Sequence, residues 1–326
     1  MVSARDDRPV IRGIAHAVPQ RREQEALWRD YFAAHYGGDE RAARLWRSAG
    51  VQYRHGAIDP SDVDVARWST GQRMAAFVTA ATPLGKEAVA AALDEAGLPA
   101  ADIGQFAVAS CTGYATPGLD ITLARDLAMP ADLQRLAIGH MGCYAAIPGL
   151  GAVSDFVRSR CRSAVLLCCE LPSLHVQPRA VGAPFTRTDL DQLAAHALFA
   201  DAAAAVVVGP GPVGAQGLRL LDVAAVTDPS TAGLMSWDIT DHGFRMALSP
   251  RVPEVLARHV GPLIADLLHR NRIGIGDIDR WVVHPGGPRI LDVVADRLGL
   301  GDDALAESAG VLRDFGNCSS ATVLLV

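Results

Sequence analysis

Three short segments of the chain each place a chemically reactive side chain among glycines and small residues. Cys143 lies in GHMGCYAA, His284 in WVVHPGGP and Asn317 in DFGNCSSAT. A cysteine thiol can act as a nucleophile, a histidine can exchange protons, and an asparagine amide can donate hydrogen bonds. These are the groups that acyl transfer requires. Taken singly, each segment is equally typical of a buried cysteine, a core histidine or an Asx turn.

The local settings of the cysteine and the histidine favour reactivity. Cys143 follows a glycine at the start of a helix predicted over residues 142–158. Free backbone N–H groups and the helix dipole stabilise a thiolate there and lower the pKa of the thiol. His284 ends a predicted strand and precedes a Pro-Gly-Gly turn that neither a strand nor a helix can continue. A side chain at such a strand end is well placed to face a cleft.

Apolar periodicity predicts the elements that position these residues. Helices are predicted over residues 21–36, 39–49, 75–96, 252–271 and 288–298. Continuous apolar runs predict buried strands over residues 105–110, 163–170, 202–208, 280–283 and 321–326. Buried strands that alternate with helices indicate an α/β class, with sheets covered on both faces.

A segment rich in glycine and proline, GPGPVGAQG over residues 209–217, is the predicted boundary between two halves, residues 1–209 and 210–326. Its G-x-G character could suggest a dinucleotide loop. It leads into a strand-like run rather than a helix, which disfavours that interpretation.

Composition and charge exclude several functions. The net charge of −6 disfavours non-specific binding to nucleic acid, which needs a basic surface. The N-terminus has no apolar signal segment, and no apolar run is long enough to cross a bilayer. The six cysteines fit no zinc-ligand spacing, so we expect no metal, reduced thiols and a cytoplasmic protein.

Taken together, the three segments resemble the catalytic motifs of the chalcone synthase superfamily, the type III polyketide synthases. The resemblance runs from about Pro9 to Val326. Ketoacyl-carrier-protein synthases of the initiating type also use Cys, His and Asn, but within H-Q-A-N and G-N-T-S-A-A rather than the HPGGP and GNCSSAT found here. The resemblance implies a thiolase-like fold of two similar αβαβα halves that form a five-layered core. It also implies catalytic roles for Cys143, His284 and Asn317.

Further site positions carry over from the same resemblance. ALFADAAA is similar to the family's A-L-F-G-D-G-A-A segment, with alanine at positions 200 and 202 where glycine is usual. Phe199 would then be the gatekeeper at the mouth of the CoA tunnel, and Met246 would replace a second gatekeeping phenylalanine. Cys111 stands where plant enzymes carry a pocket threonine. The gatekeeper and pocket positions expected in this way are Phe199, Met246, Cys111, Pro172, His175 and Ser319.

Binding of CoA is expected near two arginines and two glycines. Arg41 and Arg44 are spaced i, i+3 on a predicted helix and share a face, where the family places basic residues on the CoA phosphates. A solvated charged face is the competing interpretation. Gly286 and Gly287 of the HPGGP segment are the other expected CoA contacts.

The mechanism that the resemblance implies begins with a thiolate–imidazolium pair of Cys143 and His284. The thiolate takes an acyl group from a CoA starter, and His284 and Asn317 stabilise the enolate formed when a malonyl-type CoA extender loses CO₂. Claisen condensation and repetition then build a poly-β-keto chain, which closes in the same cavity. CoA thioesters are substrates in this scheme, and neither a metal nor a bound cofactor is expected.

The identity of the product stays open in the sequence. Met246, Cys111 and small residues near Cys143 favour an aliphatic starter and an alkylpyrone or alkylresorcinol, and a tetrahydroxynaphthalene-type synthase that uses malonyl-CoA alone is the nearest alternative. An initiating ketoacyl synthase served by an acyl-carrier protein, which would dock at Arg158, Arg160 and Arg162, is a second alternative. A non-catalytic thiolase-fold partner is a third.

Two further expectations concern the oligomeric state of the protein and the C-terminal end of the chain. The resemblance implies a homodimer, with residues 113–117 near the interface. Family members continue beyond the SSAT segment with further strands. We therefore expect the apolar run at residues 321–326 to be a strand that has only begun, in a chain that is incomplete at its C-terminus.

Overall fold

A computed structural model describes residues 8–180, 183, 185–211 and 216–326. The largest feature of this part of the chain is a six-stranded sheet with the order β5-β4-β6-β7-β1-β8. Its strands are β1 (Val10–Ala17), β4 (Ile103–Ser110), β5 (Gln134–Gly139), β6 (Ser163–Glu170), β7 (Ala202–Gly209) and β8 (Leu218–Arg219). Strand β4 is parallel to β5 and β6, whereas β6–β7, β7–β1 and β1–β8 are antiparallel. The strands predicted over residues 105–110, 163–170 and 202–208 are thereby confirmed.

Helices cover both faces of the sheet, which explains why its central strands are mostly apolar. On one face α4 (Thr70–Ala96) and α5 (Leu119–Asp126) pack with the sheet in one hydrophobic cluster. On the other face α6 (Ala146–Arg160) packs with the sheet and with residues 315–325. In β7 every residue is buried, so burial on both faces leaves no polar alternation.

The remaining elements surround this core. The N-terminal region contains β2 (Gln20–Glu23) paired with β3 (Tyr53–Gly56), and a helical stretch of α1 (Gln24–Leu27), a π turn (Trp28–Phe32) and α2 (Ala33–His35). The rest are α3 (Glu40–Arg47), α7 (Arg187–Leu198), the hairpin β9 (Met235–Thr240) and β10 (Gly243–Leu248), α8 (Val252–Asn271), α9 (Pro288–Leu298) and α10 (Ala306–Phe315).

Local capping accounts for several helix ends. Ser69 and Gln72 form a capping box at the start of α4, and Gly97 ends that helix with a φ of +61°. The helices predicted over residues 252–271 and 288–298 have the predicted bounds. The helix predicted from residue 21 starts later, at Gln24, because the preceding residues pair as a strand with β3.

Two predicted strands in the C-terminal part were wrong. Residues 280–283 are not in a strand, and the backbone N–H of Val283 donates to Ser308 Oγ at 3.1 Å instead of to a neighbouring strand. The run predicted as a strand over residues 321–326 overlaps a 3₁₀ turn, Ser319–Leu324, in which Thr322 Oγ1 donates to the carbonyl of Ser319. A strand exists only where a partner accepts its hydrogen bonds.

The predicted boundary between the halves falls partly on residues 212–215, which lie outside the described residues, as do residues 1–7 of the N-terminal segment. Within the described part of the chain, none of the helices has both the length and the hydropathy needed to span a bilayer.

Candidate active site

Cys143 lies in a tight turn where the sheet passes into a helix. A 3₁₀ turn, Gly142–Ala145, follows β5 and leads directly into α6, so the helix predicted from residue 142 becomes α-helical only at Ala146. His140 and Gly142 have φ values of +57° and +59°, which turn the chain sharply just before the cysteine.

Asn317 is held by the turn that follows α10. Gly316 has a φ of +75°, and a Cβ at this position would lie 3.0 Å from Ala200 Cβ, so glycine is required there. The Asn317 N–H donates to the carbonyl of Leu198 at 2.8 Å, and its own carbonyl accepts from the N–H of Ala200 at 3.0 Å. These hydrogen bonds hold Asn317 beside the segment that carries Phe199. The two residues are more than 100 positions apart in the sequence.

The amide group of Asn317 has a defined orientation. Its Oδ1 accepts from the N–H of Ser319 at 2.9 Å and from Thr322 Oγ1 at 3.3 Å, and Cys143 Sγ lies 3.9 Å away. Its Nδ2 donates to the carbonyl of Gly286 at 3.4 Å. Nδ2 has two hydrogens, so the second N–H is available to an oxygen of a substrate.

One cavity brings the three predicted catalytic residues together. Cys143, His284 and Asn317 all line a cavity of about 740 Å³. His284 reaches it from the loop before α9, and Phe199, Gly286 and Gly287 also line it. The long-range juxtaposition predicted for these side chains is therefore present.

Burial disfavours the charged forms of both Cys143 and His284. It raises the pKa of the Cys143 thiol to about 11, although hydrogen bonding with the side chains of Ser319 and Asn317 opposes the shift. Burial also lowers the pKa of His284 to about 4. Nδ1 of His284 has no hydrogen-bond partner among the described residues. The electrostatics thus favour a neutral thiol and a neutral imidazole rather than the predicted thiolate–imidazolium pair.

This assignment predicts how Cys143 reacts with iodoacetamide. Only the thiolate is alkylated, so the rate of Cys143 modification should rise about tenfold per pH unit through neutral pH, because the thiolate fraction grows in that proportion below the pKa. Mass spectrometry of the Cys143 peptide after timed labelling measures the rate. A rate that is already constant below pH 7 would instead show a preformed ion pair.

A buried carboxyl group, which sequence reasoning did not single out, lies next to the turn that holds Asn317. Glu170, at the end of β6, accepts from Ser320 Oγ at 2.6 Å, Thr112 Oγ1 at 2.7 Å and the N–H of Cys111 at 3.0 Å. Burial raises its pKa. These contacts join the end of β4 to the Ser319–Leu324 turn and so support Asn317. The signal in the sequence was a glutamate that ends a wholly apolar run.

Two of the predicted pocket residues belong to this support and not to a cavity wall. Cys111 Sγ lies 3.5 Å from Glu170 Oε1 and 3.4 Å from Ser319 Oγ, and neither Cys111 nor Ser319 lines the cavity that holds Cys143. The hydroxyl of Ser319 also contacts Cys143 and lowers the pKa of its thiol. Cys111 and Ser319 thus influence the site through buried contacts and do not line its cavity.

The other predicted pocket residues line a second, smaller cavity of about 60 Å³. Its wall includes Pro172, His175, Met246 and Phe199, and Phe199 also lines the larger cavity. His175 is fully hydrogen-bonded: its Nε2 lies 2.7 Å from the carbonyl of Thr112, and its Nδ1 accepts from a backbone N–H. It forms a fixed wall stacked on an aromatic ring of β10.

Of the two arginines predicted to bind CoA phosphates, only one lies at the catalytic cavity. Arg41 lines it, and Arg44 does not. Arg41 is already bound to Asp39, with 2.9 Å between Nη2 and Oδ2. Arg289, in the first turn of α9, also lines the cavity and forms no ion pair with any described residue. Sequence reasoning missed it, although it directly follows the HPGGP motif.

Comparison with known proteins identifies the family. Residues 59–212 match the N-terminal domain of chalcone and stilbene synthases, and residues 221–326 match their C-terminal domain. The chain belongs to this family, the type III polyketide synthases. Type III polyketide synthases are acyltransferase-type enzymes that catalyse Claisen condensations, and they are in general cofactor-free and act on CoA thioesters.

Several known proteins are similar to this type III polyketide synthase over most of its length. A 1,3,6,8-tetrahydroxynaphthalene synthase of Streptomyces peucetius is 39% identical over 287 residues, 87% of this chain and 74% of that protein. An alpha-pyrone synthesis polyketide synthase-like protein, Pks18, of Mycobacterium tuberculosis is 31% identical, over 97% of this chain and 82% of its own. The crystal structure of PKS-I from the brown alga Ectocarpus siliculosus superposes with a TM-score of 0.90 at 27% identity, over 99% of this chain and 89% of that one. The predicted thiolase-like fold is confirmed by this similarity.

Proposed function

We propose that this synthase transfers an acyl starter from CoA to Cys143 and extends it with malonyl-type CoA by decarboxylative condensation. The observation that carries the proposal is that Cys143, His284 and Asn317 line one cavity, which also reaches the guanidinium groups of Arg41 and Arg289. The cavity thus combines a nucleophile, a proton acceptor and an amide donor with cations suited to the phosphates of CoA.

The neutral forms of the two groups suit the loading step. A neutral His284 can accept the thiol proton of Cys143 as the sulfur attacks the thioester carbonyl. The same proton then passes from the imidazolium to the departing CoA thiolate. The step leaves an acyl-enzyme and returns His284 to the neutral form that the buried site favours.

Extension depends on hydrogen bonds to the extender. The N–H groups of His284 and Asn317 would bind the thioester oxygen of a malonyl-type CoA, where negative charge develops as CO₂ leaves. The resulting enolate carbon attacks the acyl carbonyl on Cys143, and the Cys143 thiolate departs. The lengthened chain returns to Cys143 for the next cycle or closes to a ring.

Two product classes are supported by different observations. The alpha-pyrone synthase relative spans 97% of this chain, and flexible Met246 lines the second, smaller cavity, which favours an alkylpyrone or alkylresorcinol. The relative that makes tetrahydroxynaphthalene is 39% identical, which favours a product built from malonyl-CoA alone.

Incubation of the purified protein with malonyl-CoA and acyl-CoAs from acetyl to palmitoyl, followed by mass spectrometry, tests the proposal. Pyrones or resorcinols that contain the starter support the first product class, and a naphthalene formed without starter supports the second. If malonyl-CoA is neither decarboxylated nor extended with any starter, the proposed function is wrong.

Replacement of Arg289 by alanine is expected to raise the KM for malonyl-CoA about tenfold with little change in kcat, because one charge-assisted hydrogen bond to a phosphate is lost. Initial rates with malonyl-CoA and with malonyl-pantetheine, which lacks the nucleotide phosphates, measure the effect. Arg44→Ala is the matched control and should leave both constants within about twofold, since Arg44 does not line the cavity. An equal loss with malonyl-pantetheine would rule out phosphate binding by Arg289.

A homodimer and an acyl-carrier protein as an alternative donor of the starter are further parts of this proposal. Size-exclusion chromatography with light scattering tests the first, and replacement of the acyl-CoA starter by the same acyl group on a carrier protein tests the second. Turnover with the carrier protein alone would favour an initiating ketoacyl synthase.

A further inference from the structure

A buried arginine lies beside the backbone that joins Phe199 to Asn317. Arg54, on β3, is only 6% exposed. A Cβ at Gly316 would lie 3.7 Å from the Cβ of Arg54, so the side chain of this arginine starts next to the turn that carries Asn317. Arg54 is thus close to the proposed catalytic amide, although it does not line the cavity that holds Cys143.

The guanidinium group of Arg54 donates all of its hydrogens to neutral oxygens. Nη1 donates to the carbonyl of His196 at 2.6 Å and to that of Phe199 at 2.9 Å. Nη2 donates to the carbonyl of Ala197 at 2.5 Å. Nε donates to Oε1 of Gln24 at 2.7 Å, and Nη2 also bonds to that oxygen. A guanidinium has five N–H donors in one plane, so these acceptors satisfy the whole group.

The backbone acceptors of Arg54 belong to the C-terminal end of α7. The last carbonyls of a helix have no partner within the helix, and a cation there complements the helix dipole. Arg54 binds three of the four consecutive carbonyls of residues 196–199. The remaining carbonyl, that of Leu198, accepts from the N–H of Asn317 at 2.8 Å. Arg54 therefore fixes the helix end to which the backbone of Asn317 is bound.

Arg54 keeps its charge at neutral pH despite its burial. Burial lowers its pKa to about 9, and the nearby carboxylate of Asp201 opposes the shift. The guanidinium also lies over the ring of Trp46, with 5.0 Å between its central carbon and the ring centroid. A cation thus lies at the negative end of the α7 dipole.

The strand that carries Arg54 is itself bound to the segment after Phe199. The N–H of Asp201 donates to the carbonyl of His55 at 2.9 Å, and Asp201 Oδ2 accepts from the N–H of Ala57 at 2.7 Å. The guanidinium is therefore held from a backbone that is fixed on both sides of it.

We propose that Arg54 is a positioning residue for Asn317 and acts by fixing the C-terminal end of α7. This inference rests on the proposed function, in which an N–H of Asn317 binds the thioester oxygen of the extender, and it adds a residue that sets where this N–H lies. Cys143 and His284 lie on other elements, the turn after β5 and the loop before α9. Loss of the Arg54 contacts is therefore expected to impair decarboxylation of the extender more than acylation of Cys143.

Replacement of Arg54 by lysine tests the proposal, because it keeps the charge and removes the planar group that joins the carbonyls to Gln24. The rate of CO₂ release from saturating, carboxyl-labelled malonyl-CoA is expected to fall about 10- to 100-fold, as is usual when a group near the reacting atoms is misplaced. The rate of acylation of Cys143 by an acyl-CoA, measured by intact-protein mass spectrometry, is expected to stay within about twofold, since other elements hold this residue. Equal losses in the two rates would overturn the inference.

A double-mutant cycle shows whether Arg54 acts through Asn317. In an Asn317→Ala background, Arg54→Lys is expected to cause no further fall in the rate of CO₂ release, because the donor that Arg54 positions is already gone. If the two losses multiply instead, Arg54 acts by another route and the inference is wrong.

Arg73→Lys is the matched control. Arg73 is also buried and donates to three backbone carbonyls, but those of Ala66, Trp68 and Leu174, which lie outside α7. The substitution should leave the ratio of decarboxylation rate to acylation rate unchanged, even where it lowers the melting temperature.

If Arg54→Lys does not fold, Gln24→Leu decides. It removes the oxygen that Nε and Nη2 of Arg54 share and leaves Arg54 its backbone acceptors, so a smaller fall in the same ratio is expected. An unchanged ratio in folded Gln24→Leu would overturn the inference. Absence of both CO₂ release and acylation in the wild-type protein would instead refute the proposed function.

Discussion

Replacement of Cys143 by alanine is expected to abolish the formation of condensed products, with a loss on the order of 10⁴-fold or more, as is usual when a covalent nucleophile is removed. Of the six cysteines, Cys143 is the one that lines the catalytic cavity. Cys111 and Cys318 lie close by, but both are buried away from the cavity, and burial raises the pKa of each thiol. No neighbouring thiol among the described residues can therefore replace it.

Two measurements separate loss of the nucleophile from loss of the fold. Intact-protein mass spectrometry after brief exposure to an acyl-CoA should show one added acyl group on the wild-type protein and none on Cys143→Ala. Cys161→Ala, which changes an exposed cysteine, is the matched control and should acylate and condense normally. Acylation that persists in Cys143→Ala would place the nucleophile elsewhere.

Replacement of Asn317 by alanine is expected to lower the rate of malonyl-CoA decarboxylation by about 10² to 10³, the usual cost of removing one hydrogen-bond donor from developing negative charge. Release of CO₂ from carboxyl-labelled malonyl-CoA measures this rate directly. Asn271→Ala is the matched control, because Asn271 bonds only to Asp222 and to a carbonyl of its own helix. It should decarboxylate malonyl-CoA at the wild-type rate.

Asn317 also has a structural role, and a second substitution can separate this role from hydrogen-bond donation to the substrate. Its Oδ1 accepts hydrogen bonds from Ser319 and Thr322. Asn317→Asp keeps these acceptors and removes the N–H donor. If donation to the substrate is what matters, Asn317→Asp should lose as much activity as Asn317→Ala while retaining a melting temperature closer to that of the wild-type protein. Near-normal activity of Asn317→Asp would show that Asn317 serves only to hold its turn.

The central sheet was predictable because its strands carry their information locally. Residues 164–169 are apolar without interruption, and the structure buries all of them within β6. The two C-terminal strand predictions failed for a reason that is not local. Residues 280–283 and 321–326 have suitable side chains, but a strand also needs a partner, and the neighbouring groups there are hydroxyls and turn carbonyls.

The three residues that we propose as catalytic were also recognisable in the sequence, because each lies in a short segment whose glycines and small side chains shape the turn around it. The assignment of wall residues was not. Cys111 faces Glu170 instead of a cavity, and Arg289 reaches the cavity that Arg44 does not. A helical spacing shows which side chains share a face, but it does not show what that face packs against.

The order and types of the reactive residues, the strands of the central sheet and the family all follow from the linear chain, because each depends on neighbours within a few positions. The charge states of Cys143 and His284 depend instead on burial, which only the packed chain produces. The second, smaller cavity likewise exists only after folding. Its lining includes Arg22, His55 and His196, which lie far apart in the sequence on β2, β3 and α7.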